Sequence, residues 1–350
     1  MALDVVEIDG SFGEGGGQIL RTSASLAVAL GKGVRVFNIR ANRPQRGLRA
    51  QHVTALQAVA QLCAGQLTGA QVGSERIELL PGPVTPGVYH FDIGTAGSAN
   101  LVLQTLLPPL LLAQGDSQIT VTGGTHNPLA PSFEYLRDVF GPLMTAMGAQ
   151  SFLSMTRAGF YPAGGGEVML QLQGLSGPEP LIGLNLMERG DLKFIEGLSA
   201  ATESLPSHIA ERQAAQAMAR LRQRGLRGAM EQTAWPTFSP GTVVFLRAVF
   251  GRSVAGFFAL GQIGKPAERV ADDAVDALLA YLDAPGALDP HAADQVLAIA
   301  ALCPEPSRYT TTAVTQHLLT NAHVVRQLTG RSVTVEGDLG QTGCVAVAQT

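Results

Sequence analysis

Residues 13–37 read GEGGGQILRTSASLAVALGKGVRVF. A glycine-rich turn leads into an apolar segment with helical spacing, and a valine-rich segment typical of a β-strand follows. Residues 94–123, GTAGSANLVLQTLLPPLLLAQGDSQITVTG, repeat this order. Two stretches with one pattern predict a duplicated folding unit that mixes helices and strands.

The pattern continues on the carboxyl side of both stretches. A second amphipathic helix is predicted at residues 46–65 and again at 130–149, and alternating strand segments follow each of them. A third unit is predicted near the carboxyl end, with helices at 268–283, 293–303 and 313–328 followed by two strands. The two glycine turns begin at Gly13 and Gly94, 81 residues apart. This spacing is about twice the length of a solenoid repeat, which favours duplicated units over a stacked array.

Residues 184–277 interrupt the pattern with a polar-faced helix at 206–225 and two apolar strands. We therefore predict an α+β or α/β fold in which residues 1–183 and 278–350 form a large domain of three repeated units. Residues 184–277 form a smaller inserted α/β domain. A chain of 350 residues is long enough for two domains.

The formal net charge of −4 argues against a molecule that binds polyanions over its whole surface. Residues 35–49 nevertheless contain five arginines and no acidic residue. Such a strip is either a solvated basic face or a phosphate-facing surface, because the guanidinium fork suits phosphate oxygens. The sequence leaves both interpretations open.

Three scattered cysteines give neither a disulfide framework nor metal-type spacing, and we expect a reducing cytoplasm. The amino-terminal residues do not resemble a signal peptide. The longest apolar run, residues 101–113, is too short to cross a bilayer, so we expect no membrane association.

The turn at residues 13–18 departs from the dinucleotide fingerprint, because Gln18 stands where its last glycine would be, and a P-loop motif is also missing. Three glycines before a helix still suit an anion held by backbone N–H groups, with Arg21 one turn further on. Glu14 either stabilises the helix start or reaches a divalent cation beside a bound phosphate.

Among seven histidines, His317 lies at the edge of an apolar helical stripe that includes Leu318 and Ala322. Such a histidine is either a core residue or a nucleophile, a base or a ligand. Nothing in the local spacing decides between these roles.

Seven motifs in order resemble the RNA 3′-terminal phosphate cyclases. They are GSFGEGGGQILRTS (10–23), RANRPQRGLRAQH (40–52), GTAGSANLVLQTLLP (94–108), GGTHNPLAPSFEYL (123–136), GFYPAGGGEV (159–168), ADQ (293–295) and HLLTN (317–321). The resemblance implies three copies of a unit with two helices on a four-stranded sheet, and a smaller domain inserted after the second copy.

The resemblance also implies a reaction. ATP and Mg²⁺ or Mn²⁺ would support conversion of an RNA 3′-phosphate end into a 2′,3′-cyclic phosphodiester. A histidine first takes AMP from ATP, AMP then passes to the RNA phosphate, and the neighbouring 2′-OH displaces it. In this sequence, the histidine that matches HLLTN is His317.

Further roles follow from the resemblance residue by residue. Glu14 matches the metal position. The phosphate-binding group comprises Arg21, Arg40 and Arg43, with Gln18 and Gln51 beside them. The nucleotide-binding group comprises Gln104, Pro131, His291, Ala292, Ala293, Asp294 and Gln295. The last segment often opens with an aromatic residue in the family, whereas it opens here with His291, which offers less stacking area.

Three alternatives stay open, of which a plain nucleic-acid-binding module is disfavoured by the overall acidity. A catalytically silent cyclase-like protein that assists ribosome assembly would lack the histidine nucleophile, so His317 argues against it. An enolpyruvyl-transferase-like enzyme would share the repeated units and the arginines but would need neither ATP nor a nucleophilic histidine.

Overall fold

The structure, a computed structural model, describes residues 4–174 and 181–349. Its mixed helix and strand content confirms the predicted fold class. The helices are α1 (Gly17–Ala29), α2 (Ala50–Leu62), α3 (Ala99–Leu111), α4 (Phe133–Tyr135), α5 (Gly141–Ala146), α6 (His208–Gln223), α7 (Ala267–Asp283), α8 (Pro290–Ala300) and α9 (Gln316–Thr329). A π-helical stretch, Leu136–Phe140, joins α4 to α5.

The strands are β1 (Val5–Asp9), β2 (Gly33–Phe37), β3 (Gln66–Thr68), β4 (Ile77–Leu80), β5 (Val88–Asp92), β6 (Ser117–Gly123), β7 (Gln150–Arg157), β8 (Gly166–Gln173), β9 (Asn185–Leu186), β10 (Leu192–Thr202), β11 (Gly228–Trp235), β12 (Thr242–Phe250), β13 (Val254–Leu260), β14 (Ser307–Thr311), β15 (Val333–Glu336) and β16 (Gly343–Val347).

Three of the four-stranded sheets share one strand order. The orders are β1-β2-β4-β3, β5-β6-β8-β7 and β9-β14-β16-β15. In each sheet the first two strands run parallel and the other neighbouring pairs run antiparallel. A parallel pair needs a crossover connection, and α1, α3 and α8 each lie in the connection between such strands. Each of these helices therefore begins at an equivalent place in its sheet.

The helices of the three sheets pack on one another. Helix α1 contacts α2, α3 and α9, and α8 contacts α9. Side chains such as Leu20, Leu106 and Val325 belong to one buried cluster that spans all three sheets. Burial of this apolar surface is the main favourable contribution to folding.

The fourth sheet, β11-β10-β12-β13, carries α6 and α7 and has a separate buried cluster. Helix α7 packs on α6, β12 and β13, because its apolar stripe, which includes Val270 and Leu278, faces that sheet. The sequence placed the helix at 268–283 in the third unit, whereas the structure places it on the fourth sheet. The predicted boundary between residues 277 and 278 falls inside α7.

The position of the insertion also differs in detail from the expectation. Strand β9 precedes the fourth sheet in sequence, yet it pairs with β14 on the other side of the insertion. The fourth sheet and its helices, called the inserted domain below, therefore lie between the first strand of the third sheet and α8. The sequence had placed the insertion after the second unit, because a strand of two residues leaves no periodic signal.

The inserted domain packs against the second sheet's helices and loops. Phe160 presses on Gly241, where an added Cβ would lie 2.2 Å from the ring. The buried His126 ring packs on the Phe160 ring, with centroids 5.0 Å apart, and on the Trp235 ring at 5.1 Å, and the Phe160 and Trp235 centroids are 6.5 Å apart. These contacts join the inserted domain to the second sheet's loops, and all three of Phe160, His126 and Gly241 also line a cleft between the two parts of the molecule. In the part of the chain that the structure describes, no helix is long and apolar enough to cross a membrane.

Candidate active site

A cleft of about 1770 Å³ lies between the inserted domain and the three-sheet body. The first turns of α1, α3, α8 and α9 line its inner wall. Every predicted site residue except two lines this cleft: Glu14, Gln18, Arg21, Arg40, Arg43, Gln51, Gln104, Pro131, His291, Asp294, Gln295 and His317. Residues that are distant in sequence are thus brought together on one surface.

The two exceptions are Ala292 and Ala293, which are fully buried in the core. Successive helical residues are about 100° apart around the axis, so five consecutive residues of α8 cannot all face one ligand. His291, Asp294 and Gln295 face the cleft, and the two alanines between them face inward.

The glycine turn brings side chains onto the start of α1. Gly16 is the N-cap and supplies no side-chain cap. A Cβ at Gly17 would lie 2.1 Å from His52 Nε2, and one at Gly16 would lie 3.2 Å from Arg43 Nη2. The glycines therefore let an imidazole and a guanidinium lie against the helix N-terminus, where backbone N–H groups favour anions.

Glu14 links the turn to the predicted nucleophile. Arg43 Nη2 donates to Glu14 Oε2 at 2.8 Å, and His317 Nε2 lies 3.6 Å from the same oxygen. The Glu14 side chain is 36% exposed and that of His317 is 41% exposed, so both are accessible from the cleft. The imidazole is consequently beside a carboxylate and within the arginine cluster, not enclosed by aliphatic side chains.

Local structure fixes the position of His317. Thr315 caps α9 by accepting a hydrogen bond from the Leu318 N–H at 3.0 Å. Leu318, Ala322 and Val325 are buried as the stripe predicted, so the adjacent His317 points from the edge of that stripe into the cleft.

Partial burial lowers the pKa of His317 below its ordinary 6.5, and the charges of Arg21, His291 and Arg43 act in the same direction. Glu14 opposes them and raises the pKa. Because the net shift is downward, the imidazole is neutral at pH 7 and its nitrogen lone pair is available.

The arginines concentrate positive charge opposite His317. Burial lowers the pKa of Arg21 to about 10; Asp294 raises it and Arg40 lowers it. Burial likewise lowers the pKa of Arg40, with Arg43 and Arg49 contributing repulsion. Arg21 stays charged at pH 7, and clustered cations of this kind are expected around an anionic ligand.

Several polar atoms on this wall are buried and have no hydrogen-bond partner among the described residues. They are Gln18 Oε1, Ser25 Oγ, Arg40 Nε and Arg43 Nε. Native proteins rarely leave such groups unpaired, because each loses its hydration without compensation. Their grouping in one cleft indicates that a polar ligand completes the site.

Two aspartates lie at the start of α8. Asp289 caps the helix by accepting hydrogen bonds from the His291 and Ala292 N–H groups and from the Tyr135 hydroxyl at 2.7 Å. Burial raises the pKa of Asp289. Burial, followed by the charge of Asp289, raises the pKa of Asp294 well above 3.8. Asp294 therefore ionises less readily than an ordinary aspartate.

Amide side chains hold the four cleft helices in register. Gln104 of α3 donates to Gln295 Oε1 of α8 at 2.7 Å. Thr22 of α1 donates to Asn321 Oδ1 of α9 at 2.8 Å, and the Asn321 amide donates to the Asp294 carbonyl at 2.9 Å. These contacts fix the relative positions of the side chains that face the cleft.

The loop and helix start from the second unit complete the wall. Gln51 Oε1 accepts a hydrogen bond from the Ser98 N–H at 2.8 Å, so this amide is committed to α3. The Pro131 carbonyl accepts from Asn100 Nδ2 at 2.8 Å, which leaves the pyrrolidine ring on the cleft surface.

His52 belongs to this site although the sequence gave it no partner. Its Nδ1 accepts a hydrogen bond from the Arg49 N–H at 3.0 Å, so the neutral ring carries its proton on Nε2, beside Gly17. Burial lowers the pKa of His52 to about 3, and Arg21, Arg40 and Arg49 contribute. A neutral N–H donor is thus held at the N-terminus of α1. In the sequence, the only signal for this role of His52 is that it follows the predicted site residue Gln51.

A divalent cation would have one protein carboxylate here. Among the described residues, no group of three or more His, Cys, Asp or Glu side chains is arranged to hold a metal. Mg²⁺ is commonly bound by one or two carboxylates together with substrate phosphates and water. Glu14 faces the cleft between Arg43 and His317, so it fits a cation that bound phosphates bring with them.

These observations define a class of protein: an α+β fold with an arginine-lined cleft and an accessible, neutral histidine. The RNA 3′-terminal phosphate cyclase family matches residues 12–335. An RNA 3′-terminal phosphate cyclase of Methylococcus capsulatus is 47% identical over 330 residues, which cover 92% of this chain and 91% of that one. A cyclase of Trichormus variabilis is 44% identical over 338 residues, covering 95% and 96%.

The chain belongs to the RNA 3′-terminal phosphate cyclase family. Membership extends beyond bacteria, since an Archaeoglobus fulgidus cyclase is 41% identical over 95% of this chain and 98% of its own. Among solved structures, the enolpyruvyl transferase NikO of Streptomyces tendae aligns at 11% identity with a TM-score of 0.29, over 99% of this chain and 66% of that one. A similarity of that size supports no argument.

Proposed function

We propose that this protein uses ATP to convert RNA 3′-phosphate ends into 2′,3′-cyclic phosphodiesters through an AMP–His317 intermediate. The observation that carries the proposal is the position of His317: its Nε2 lies 3.6 Å from Glu14 in a cleft lined by arginines. Family membership supports the RNA substrate, because the relatives are named for that activity.

In the first step the His317 Nε2 lone pair attacks the α-phosphorus of ATP. The N–P bond forms while the bond to the bridging oxygen breaks, and pyrophosphate leaves with that electron pair. The lowered pKa of His317 keeps the lone pair free at neutral pH. Covalent catalysis divides a difficult displacement into two easier ones.

The arginines and the α1 turn would bind the charged groups of this step. Arg21, Arg40 and Arg43 face the space in front of the α1 N-terminus, with the His52 Nε2–H beside them. Preorganised donors of this kind stabilise charge that develops on phosphoryl oxygens. The unpaired Arg40 Nε and Arg43 Nε are donors for the same oxygens.

Glu14 would hold the Mg²⁺ or Mn²⁺ ion, which when bound neutralises phosphate charge and orients the leaving group. Arg43 Nη2 forms an ion pair with this carboxylate at 2.8 Å. Glu14 also raises the pKa of His317 and so opposes the surrounding arginines.

The nucleoside would lie toward α3 and α8. Pro131 and His291 offer flat surfaces for the adenine ring. Gln104, Asp294 and Gln295 offer polar groups along the adjacent wall. These assignments combine the family resemblance with the positions of the side chains in the cleft.

In the second step an oxygen of the RNA 3′-phosphate attacks the phosphorus of AMP–His317. The N–P bond breaks, the histidine regains its lone pair, and the RNA end carries a pyrophosphate linkage to AMP. In the third step the adjacent 2′-OH attacks the terminal RNA phosphorus, its proton passes to solvent, and AMP leaves. The ribose holds the 2′-oxygen next to the phosphorus, so ring closure benefits from proximity.

The test is covalent labelling. The protein is incubated with α-³²P-labelled ATP and Mg²⁺ and then denatured. We expect label on the polypeptide that is lost in acid and stable in base, as for a phosphoramidate. His317→Ala should remove at least about 99.9% of it, in line with loss of a covalent nucleophile.

His323→Ala is the matched control, because His323 lies on the same helix and stacks on Phe12 outside the cleft lining. Label that persists in His317→Ala would assign the nucleophile elsewhere. A wild-type protein that takes no label at all would favour the catalytically silent alternative.

A further inference from the structure

We propose that Leu129, Tyr161 and Ile263 form a base-binding rim that holds the 3′-terminal nucleobases of the RNA by sequence-independent stacking. This inference rests on the proposed function, because it assigns the part of the substrate that extends from the reacting phosphate. The three residues are called the rim below.

The rim combines exposure with location. Leu129 and Ile263 are fully exposed and Tyr161 is 75% exposed, and all three line the cleft that contains His317. Isolated apolar side chains on a surface are ordinary, but several along one concave surface mark an interaction site. Leu129 and Ile263 are also the most exposed large apolar side chains among the described residues.

Leu129 is held in place at a conformational cost. Its φ is +62°, in the left-handed region that a leucine rarely adopts and that asparagine tolerates better. The surrounding loop is anchored by Asn127, which donates to the Ala96 carbonyl at 2.6 Å, and by Asn100, which donates to the Thr125 and Pro131 carbonyls. A residue chosen only for stability would be polar here, so the exposed leucine indicates binding.

Tyr161 lies on a loop that is bonded to the Leu129 loop. Gly159 donates to Thr125 Oγ1 at 2.9 Å, and the Thr125 N–H donates back to the Gly159 carbonyl at 2.9 Å. The same loop reaches the inserted domain, because the Ala163 N–H donates to Ser239 Oγ at 3.0 Å. The aromatic ring is thus presented by a connected frame, and little order needs to be gained on binding.

Ile263 supplies the inserted domain's share of the rim. It follows β13 in a turn whose neighbour, Lys265, is anchored by an ion pair with Asp273 at 2.7 Å. The rim therefore draws on both parts of the molecule that border the cleft.

The chemistry of the rim fits nucleobases. Single-stranded nucleic acid is bound without sequence preference by stacking its bases on aromatic side chains, while cations bind its phosphates. Tyr161 offers such a ring, and Leu129 and Ile263 offer exposed apolar surface for van der Waals contact with the bases. Here the cations Arg21, Arg40 and Arg43 lie on the inner wall and the apolar side chains are more exposed. A terminal phosphate at His317 requires the attached nucleotides to leave through this cleft.

The experiment compares two RNA oligonucleotides that differ only in the base of the 3′-terminal nucleotide: one is intact and the other is abasic, both with a 3′-phosphate. Three proteins are measured for binding by fluorescence anisotropy and for cyclisation: the wild type, a triple variant that combines Leu129→Asn, Tyr161→Ser and Ile263→Ser, and the conservative variant Tyr161→Phe. Self-adenylylation is measured in parallel. Val88→Ser is the control, since Val88 is 80% exposed and lies outside the cleft lining.

We expect the wild type to bind the intact end about 10-fold more tightly than the abasic end, as stacking of one base predicts. The triple variant should bind both ends equally, at the level of the abasic end, and Tyr161→Phe should behave like the wild type. Val88→Ser should keep the discrimination.

Undiminished discrimination in the triple variant would overturn the proposal. A loss of self-adenylylation as large as the loss of RNA binding would also overturn it, since the rim would then belong to the ATP site. Binding is read without ATP, so absent labelling or cyclisation in the wild type would contradict the proposed function while the rim is still judged by anisotropy.

Discussion

Helices α1 and α3 occupy equivalent places in two sheets of one topology, yet their first turns are built differently. Ser98 caps α3 by accepting from the Leu101 N–H at 3.3 Å, and its own N–H is taken by Gln51. Helix α1 begins at Gly16 with no side-chain cap. In the third sheet, Asp289 caps α8 in the manner of Ser98.

The difference distinguishes two helix starts that are capped by protein side chains from one that is open to a ligand. The α3 and α8 turns pair N–H groups of their first turns with side-chain oxygens of the protein, so those helix starts are capped without a ligand. The α1 turn instead gathers Arg43 and His52 where an anion would lie. Among three equivalent helix starts, the uncapped one is where the charged residues of the cleft converge.

Of the changes to these helix starts, the largest effect is expected from giving α1 the cap that α3 has. In Gly16→Ser the new Cβ lies 3.2 Å from Arg43 Nη2, and the hydroxyl can accept from the N–H groups that would bind phosphate. We expect self-adenylylation to fall about 100-fold, comparable to loss of an oxyanion donor. The free energy of unfolding should be unchanged or higher.

Rates of label incorporation and urea unfolding measure the two quantities. A Gly16→Ser protein that is fully active would show that the open helix start is not used, and the contrast between α1 and α3 would lose its functional meaning.

The second expected effect is a pH dependence of stability that comes from His52, the imidazole beside the α1 turn. The folded His52 has a pKa of about 3, against 6.5 for the ordinary imidazole. Below pH 6.5 the unfolded chain binds the proton and the folded chain does not, so the free energy of unfolding falls as the pH drops from 6.5 toward 3. Between pH 7.5 and pH 5 this contribution is about 2 kcal/mol.

His52→Gln removes this contribution, so its stability should fall less than that of the wild type between pH 7.5 and pH 5, by about 2 kcal/mol. Urea unfolding at the two pH values measures the change in the free energy of unfolding for each protein. The contributions of other titrating groups cancel when the two changes are compared. Parallel losses in the two proteins would mean that His52 is not held neutral beside the arginines.

The smallest effect concerns the capped turn. Ser98→Ala removes the acceptor of the Leu101 N–H and should lower the free energy of unfolding by about 1 kcal/mol. Self-adenylylation should fall far less than in Gly16→Ser, because the Ser98 N–H still holds Gln51. If Ser98→Ala lost activity as severely as Gly16→Ser, both turns would serve the ligand.

The sequence could predict this site where its signals are local. The glycines, Glu14 and Arg21 are close together in the chain, and helix periodicity placed His317 at the edge of a buried stripe. The same periodicity, applied to α8, also shows that Ala292 and Ala293 cannot face the cleft together with His291. Their placement follows from helix geometry and needed no tertiary information.

Other features depend on tertiary contacts that no local pattern carries. An amphipathic stripe shows that α7 is half-buried but not which sheet covers it, so the sequence grouped it with the third unit. His52 becomes part of the site only through the missing Cβ of Gly17 and the Arg49 amide. The exposure of Leu129 in a left-handed conformation is likewise invisible in composition.

The split third sheet has a consequence for how the chain is made. Leu184, next to β9, bonds to Ser307 Oγ, 123 positions further along the chain. A ribosome adding about 5–20 residues per second exposes the first partner roughly 6–25 s before the second. The edge strand of the third sheet is therefore unpaired in the nascent polypeptide while the intervening residues emerge, and their sheet is able to form first.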